Sequence, residues 1–204
     1  PADAVPGWFQ ATLALFDAKG KELAYDDDFR FHPDPVLHFE IPRDGDYTIE
    51  IKDAIYRGRE DFVYRITLGE LPFVTSLFPL GGTAGQRTTV ALKGWNLPVT
   101  NLTHDAKNEG PGIRFLSVNQ NDRPSNRVPF AVDALPECWD QEPNNQPEAA
   151  QKINLPVIVN GRIEKSGDWD IFRIEGKAGD VIIAEIQARR LDSPLDSVLK
   201  LTDA

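Results

Sequence analysis

Sulfur-containing residues and long apolar runs are scarce in this chain. Its 204 residues contain no methionine and one cysteine, Cys138, so an internal disulfide framework is excluded. The single cysteine does not identify the compartment, because many secreted bacterial proteins also use almost none. Apolar runs such as residues 181–184 are far shorter than the roughly 20 residues of a membrane-spanning helix. Residue 1 is not methionine and no signal-peptide pattern follows it, so we expect a piece of a longer protein.

Positive charge and histidine are also in short supply. The formal net charge is −10, and there are three histidines. A surplus of carboxylates disfavours nucleic acid, whose phosphates require lysine and arginine on one face. It is compatible with cation binding and equally with a generally acidic surface.

The apolar pattern is that of strands. Apolar and polar residues alternate over residues 37–41, 47–51 and 62–68, which predicts half-buried strands. The 16 prolines and 15 glycines are scattered throughout, and the segments between them show no long apolar pattern with helical spacing. We therefore predict an all-β protein built from antiparallel β-sandwiches, since each half-buried sheet needs a second sheet to cover it.

Two turn-rich boundaries divide the chain into three pieces. The first lies near residues 69–72 and the second near residues 135–137, which gives predicted domains at 1–71, 72–135 and 136–204. The middle piece opens with an apolar run at 73–79, continues with glycines 81, 82 and 85, and reaches Gly94-Trp95-Asn96. This strand, glycine-rich turn and second strand predict a small Ig-like sandwich.

Two short rows of oxygen-bearing side chains stand out in the last piece. Asp140, Glu142 and Asn144 alternate along one segment, and Ser166, Asp168 and Asp170 repeat the spacing about 25 residues later. Side chains two apart lie on one face of an extended segment, and oxygen ligands are what calcium requires. The alternative is two solvated turns, because Asp, Asn, Gly and Pro dominate turns in any case.

No catalytic constellation is evident. The histidines are isolated, and no pair of them has metal-ligand spacing. Cys138 lies between Glu137 and Trp139, and an anionic neighbour raises a thiol pKa and weakens the nucleophile. Nucleophile-elbow, phosphate-loop and dinucleotide motifs are missing. We expect no enzymatic activity within these residues.

Particular motifs resemble known families. Glu142-Pro143-Asn144-Asn145, then Val159-Asn160-Gly161, then Gly167-Asp168-Trp169-Asp170-Ile171-Phe172 resemble the bacterial pre-peptidase C-terminal domain, a jelly-roll-like β-sandwich related to the collagen-binding domains of clostridial collagenases. Residues 1–71 resemble the second half of that domain, and residues 136–204 its first half. The middle piece is similar to an IPT/TIG domain, which is Ig-like, through Phe78-Pro79, Gly82, Gly85 and Gly94-Trp95-Asn96.

The resemblance implies a site and a role. Calcium in the relatives is held by an acidic segment and a later Ser/Asp turn, which correspond here to Asp140, Glu142, Asn144, Asn145, Ser166, Asp168 and Asp170. This chain has Asp140 where the relatives have Glu. The resemblance implies a non-catalytic accessory or binding module of a secreted or cell-surface protein, with calcium as a structural brace and a polymer or protein as ligand. The alternative is an appendage of a secreted peptidase or other hydrolase.

The two ends of the chain are also related to each other. Residues 195–204 align without gaps on residues 9–18, with identities at Leu13 and Leu199, Leu15 and Leu201, Asp17 and Asp203, and Ala18 and Ala204. Half a sandwich leaves an apolar face uncovered. We therefore predict that the two terminal halves pair, within one molecule or by exchange between two.

Overall fold

The computed structural model describes residues 8–30 and 32–203, and they form an all-β protein, which confirms the predicted fold class. The chain divides into two compact units, residues 1–69 and residues 70–204. Across the described ranges, helical structure is limited to two three-residue 3-10 turns, Pro147–Ala149 and Arg189–Leu191. No helix of this part of the chain has the length and apolar character that a membrane crossing needs.

The first unit contains one three-stranded antiparallel sheet. Its strands are β1 (Ala11–Asp17), β2 (Glu22–Asp26) and β3 (Tyr47–Asp53), in the order β2-β1-β3. The alternation at 47–51 is confirmed as part of β3, whereas residues 37–41 and 62–68 are not assigned to strands. Alternation predicts which side chains share a face, but it does not supply the neighbouring edge that a ladder requires.

A buried carboxylate fixes the end of β3. Asp53 is 4% exposed, and Arg57 donates to it from Nε at 3.0 Å, from Nη2 at 2.9 Å and from its backbone N–H at 3.0 Å. The backbone N–H groups of Gln10 and Ile55 donate to the same carboxylate. The Arg57 guanidinium and these N–H groups hold the pKa of Asp53 far below its usual range. The carboxylate thus ties the turn at 53–57 to the start of β1.

The second unit opens with a β-sandwich. Its strands are β4 (Phe73–Phe78), β5 (Gly81–Thr83), β6 (Arg87–Trp95), β7 (Asn101–Asp105), β8 (Gly112–Leu116), β9 (Asn119–Gln120), β10 (Arg123–Pro124) and β11 (Val128–Asp133). The two predicted strands correspond to β4 and β6, but Gly81 and Gly82, predicted as a turn, lie in the short strand β5, and the turn falls at residues 84–85. One sheet has the order β4-β6-β7, and the other has the order β5-β11-β8 with β5 parallel to β11.

The core of this sandwich lies between its two sheets. The buried residues are Val74, Leu77, Val90, Leu92, Ala106, Leu116, Val118, Val128, Phe130 and Val132. They come from both sheets and the loops beside them, all between residues 74 and 132. Glycine is required at position 94, where β6 pairs with β4, because a Cβ there would overlap the carbonyl oxygen of Phe73. The inward-facing apolar residues of the two sheets thus form a packed interior. The residues of the candidate site come later in the chain.

The last part of the second unit has short strands and long loops. The strands are β12 (Glu137–Trp139), β13 (Gln151–Lys152), β14 (Ile158–Asn160) and β15 (Phe172–Arg173). They form two parallel pairs, β12 with β14 and β13 with β15. Residues 195–203, which align with β1, are not assigned to a strand, and Ala204 lies outside the described residues.

Candidate functional site: an acidic cluster between two loops

The two acidic segments flank the short parallel strands. Asp140 follows β12 directly, and its backbone N–H donates to the carbonyl of Asn160 at the end of β14 at 3.1 Å. Asp170 lies two residues before β15. The backbone N–H of Ile171 donates to the carbonyl of Asn144 at 3.2 Å. The strand pairs therefore hold the loop at 140–145 beside the loop that leads into β15.

The predicted extended row is a loop, yet its carboxylates still converge. Residues 140–145 are not in a strand, because Pro143 lacks a backbone donor and the asparagines favour turns. One oxygen from each of Asp140, Glu142 and Asp170 lies within 4.8 Å of the other two. Asp140 and Asp170 are half-buried and Glu142 is exposed. Three carboxylates of the predicted set thus form one oxygen-lined cluster.

Asn144 adds an amide beside this cluster. Its side chain is completely buried, and its amide nitrogen donates to Glu142 Oε1 at 3.3 Å and to the carbonyl of Trp169 at 3.0 Å. Asn144 therefore positions Glu142 and the Trp169 backbone beside the cluster through hydrogen bonds of its own.

Asp170 is the least satisfied carboxylate of the cluster. Its Oδ1 is buried and accepts no hydrogen bond from any described residue. Burial, together with the charges of Asp140, Asp168, Glu142 and Glu164, raises the pKa of Asp170 to about 6. A buried anionic oxygen without a donor is unfavourable unless a proton or a cation compensates it. The cluster therefore has the electrostatics of a cation site.

The remaining predicted residues have identifiable contacts around the cluster. Asn145 Oδ1 accepts the backbone N–H of Trp169 at 2.6 Å and so ties the two loops together. Asp168 is 9% exposed, and its Oδ2 accepts the backbone N–H of Glu164 at 2.6 Å, which closes the turn at 164–168. Ser166 is exposed within that turn. Asn145 and Asp168 therefore organise the loops, while Asp140, Glu142 and Asp170 supply the converging oxygens.

Two residues outside the predicted ligand set support the geometry. Gln151 in β13 donates from Nε2 to the carbonyl of Trp139 at 2.9 Å and accepts the backbone N–H of Gln141 at 2.9 Å. It thereby fixes the backbone on both sides of Asp140. Gly161 makes room for the carboxylates: a Cβ there would lie 3.0 Å from Asp170 Oδ2 and 3.2 Å from Asp140 Oδ2. The pair Asn160-Gly161 is a turn signal in the sequence; nothing in the sequence marks Gln151.

An aromatic contact lies immediately beside the cluster. The indole of Trp139 meets the ring of Phe78, in β4, edge-on with ring centroids 5.1 Å apart. The guanidinium of Arg162 lies over the same ring, 3.7 Å from its centroid. The backbone N–H of Arg162 donates to Asp140 Oδ2 at 3.0 Å. The loops that carry the cluster thus contact the sandwich through Phe78.

Comparisons with known proteins leave the site to be interpreted from its geometry. No family model, curated protein or solved structure matches the chain.

Proposed function

We propose that the chain is a non-catalytic accessory module of a larger secreted or cell-surface protein, braced by calcium at Asp140, Glu142 and Asp170. The observation that carries the proposal is Asp170, whose buried Oδ1 accepts no hydrogen bond from the described residues and whose carboxylate converges with those of Asp140 and Glu142. Calcium would supply the positive charge that no side chain of the cluster provides.

Calcium fits the donor set better than other common cations. The donors are the carboxylate oxygens of Asp140, Glu142 and Asp170. Zinc prefers histidine and cysteine ligands, and magnesium demands near-octahedral geometry and keeps several waters. Calcium accepts six to eight oxygens in a flexible arrangement, which suits a site made from two loops. Extracellular calcium modules bind with dissociation constants of about 10⁻⁴ to 10⁻³ M, and we expect this range here.

The brace would act on backbone geometry. Asp140 and Glu142 lie on the loop after β12, whereas Asp170 lies on the loop before β15. A shared cation would replace repulsion between these carboxylates with attraction to one charge. The expected effect is to hold the two parallel strand pairs, which are only two or three residues long, in register.

The proposal assigns no catalytic residue to the chain. Burial raises the pKa of the Cys138 thiol, and the charge of Asp140 raises it further, which is opposite to the activation that a nucleophilic cysteine requires. We propose instead that the sandwiches contact an extracellular polymer or protein, or space other domains of the parent protein. The net charge of −10 disfavours nucleic acid as the partner.

Pairing of the terminal halves remains a prediction. It rests on the family resemblance and on the alignment of residues 195–204 with residues 9–18. Sedimentation equilibrium of the full chain distinguishes the two forms of the prediction, because exchange between two molecules gives a dimer and pairing within one gives a monomer.

Thermal melts and calorimetry test the brace. Calcium should raise the melting temperature relative to EDTA, with a stabilisation of about 2.7 kcal/mol at 100 times the dissociation constant. Asp170→Asn should weaken calcium binding by about tenfold or more, by analogy with the 10- to 100-fold losses seen for supporting residues of metal sites. Glu148→Gln removes an equal charge from an exposed residue of the same loop region and should bind normally. No calcium binding by the wild-type chain, or equal binding by both variants, would contradict the proposal.

A further inference from the structure

Phe78 links the acidic cluster to the β-sandwich of residues 73–133. The ring of this β4 residue is half-buried, and two residues from the loops around the cluster hold it: Trp139 from one side and Arg162 over its face. Both are immediate neighbours of the cluster. Trp139 precedes Asp140 in the chain, and Arg162 follows Gly161, whose Cα hydrogens face the carboxylates of Asp140 and Asp170.

Asp140 connects these two neighbours through its own hydrogen bonds. Its Oδ2 accepts the backbone N–H of Arg162 at 3.0 Å, and its backbone N–H donates to the carbonyl of Asn160 at 3.1 Å. Asp140, a member of the cluster, is therefore hydrogen-bonded to the backbone of Arg162 and covalently joined to Trp139, the two residues that contact the Phe78 ring. We expect a shift of Asp140 to displace Trp139, Arg162 or both.

We propose that cation occupancy at the cluster and docking of the loops on Phe78 are coupled, so that each favours the other. The proposal rests on the proposed cation site. Without a cation, the like charges of Asp140, Glu142 and Asp170 repel one another, and the loops that carry them are pushed apart. A bound cation reverses that force and fixes Asp140, and with it the two side chains around Phe78.

Cation binding and docking of the loops on Phe78 must affect each other equally, which can be measured. If a cation strengthens docking, docking must strengthen cation binding by the same factor. Removing the Phe78 ring abolishes the edge-on contact with Trp139 and the cation–π contact with Arg162, which are stabilising interactions of moderate strength. We expect Phe78→Leu to weaken calcium binding by about three- to tenfold, although Phe78 is not a ligand.

Phe115 provides a matched control on the same sandwich. It lies in β8, is 55% exposed, and has the guanidinium of Arg127 4.8 Å from its ring centroid. Phe115→Leu therefore removes a ring and a cation–π contact that do not touch the loops of the cluster. Trp139→Leu is a second test variant, because Trp139 is 51% exposed and its loss leaves the buried core intact.

Calcium titration by calorimetry, with hydrogen exchange in EDTA and in calcium, tests the coupling on the full chain. We expect weaker binding in Phe78→Leu and Trp139→Leu, wild-type affinity within about twofold in Phe115→Leu, and calcium-induced protection of the amides of residues 139–140 and 162 that Phe78→Leu reduces. Wild-type affinity in both Phe78→Leu and Trp139→Leu would overturn the coupling and leave the cation site standing. No calcium binding by the wild-type chain would overturn both.

Discussion

Two partly or fully buried aspartates, one in each unit, have opposite surroundings. Asp53 in the first unit accepts hydrogen bonds from the guanidinium of Arg57 and from backbone N–H groups, and its pKa lies far below the usual range. Asp170 in the second unit has a buried oxygen without a donor among the described residues and a pKa raised to about 6. The first carboxylate has its cation within the chain, whereas the second has four further carboxylates nearby, those of Asp140, Glu142, Glu164 and Asp168.

The difference separates a structural carboxylate from a candidate binding one. Burial of Asp53 is compensated by hydrogen-bond donors of the same chain, so its contribution is present in the isolated chain. Burial of Asp170 is compensated only when a proton or a cation arrives from solution. The stability of its surroundings should therefore depend on pH and on metal, while that of the turn at 53–57 should not respond to metal.

The largest expected effect is that of Asp53→Asn. The amide keeps the shape of the carboxylate but replaces one acceptor oxygen with a donor that faces N–H groups of Arg57, Ile55 or Gln10. Loss of the ion pair removes the negative charge that the Arg57 guanidinium contacts at this buried site. We expect a clear fall in melting temperature, together with faster hydrogen exchange at the amides of Gln10 and Ile55.

The matched control for Asp53 is Asp61→Asn in the same unit. Asp61 pairs with Arg59 at 2.6 Å, but the two side chains are 64% and 55% exposed. Exposed pairs contribute little to stability, so this variant should melt close to the wild-type chain. A destabilisation by Asp61→Asn as large as that by Asp53→Asn would show that burial of the Asp53 carboxylate is not what matters.

Sequence reasoning predicted the fold class because alternation and scattered turn residues are local signals. It also placed the two strands that open the sandwich, although Gly81 and Gly82 lie in strand β5 rather than in a turn. It could not assign partners to the strands, since the edge on which a strand pairs is a tertiary property. Residues 37–41 and 62–68 show this limit.

The candidate site was predictable in part for a similar reason. The spacing of Asp140, Glu142 and Asp170 identified the carboxylates that converge, although the convergence comes from loops rather than from the faces of two strands. Asn145 and Asp168 belong to the predicted set, but they bond to backbone N–H groups. The roles of Gln151 and Phe78 depend on contacts across the fold, and their own neighbours in sequence give no sign of them.

The pH dependence of the metal-free chain is the second expected effect. The pKa of Asp170 is raised from 3.8 to about 6, so its proton is bound more tightly in the folded state. Its contribution to stability is full below pH 4 and is lost as the pH rises through about 6. We expect about 1 kcal/mol of loss in EDTA, less than the full shift implies because solvent screens the group. The stabilising contribution of Asp53, whose pKa is lowered, is lost only at lower pH.

Asp170→Asn isolates this contribution. Glu137 and Asp26 also have raised pKa values, through burial, so the wild-type curve contains more than one group. The difference between the melting curves of the wild-type chain and Asp170→Asn, measured in EDTA from pH 4.5 to 7.5, removes those shared terms. The variant should lose less stability than the wild-type chain across this window. Parallel curves would contradict the assignment to Asp170.

The smallest expected effect concerns the space that Gly161 leaves for the cluster. A Cβ at this position would lie 3.0 Å from Asp170 Oδ2 and 3.2 Å from Asp140 Oδ2, so the carboxylates must shift by a few tenths of an ångström. We expect Gly161→Ala to weaken calcium binding by about two- to fivefold, because ligand oxygens held off their positions bind a cation less well. Gly176→Ala is the control, since a Cβ there meets nothing within 4 Å. Calorimetric titration of both variants measures the difference, and equal affinities would mean that the carboxylates adjust freely. The two aspartates would then differ in mobility as well as in charge. The Asp53 carboxylate is fixed by hydrogen bonds within the chain, whereas that of Asp170 would be free to follow the ion.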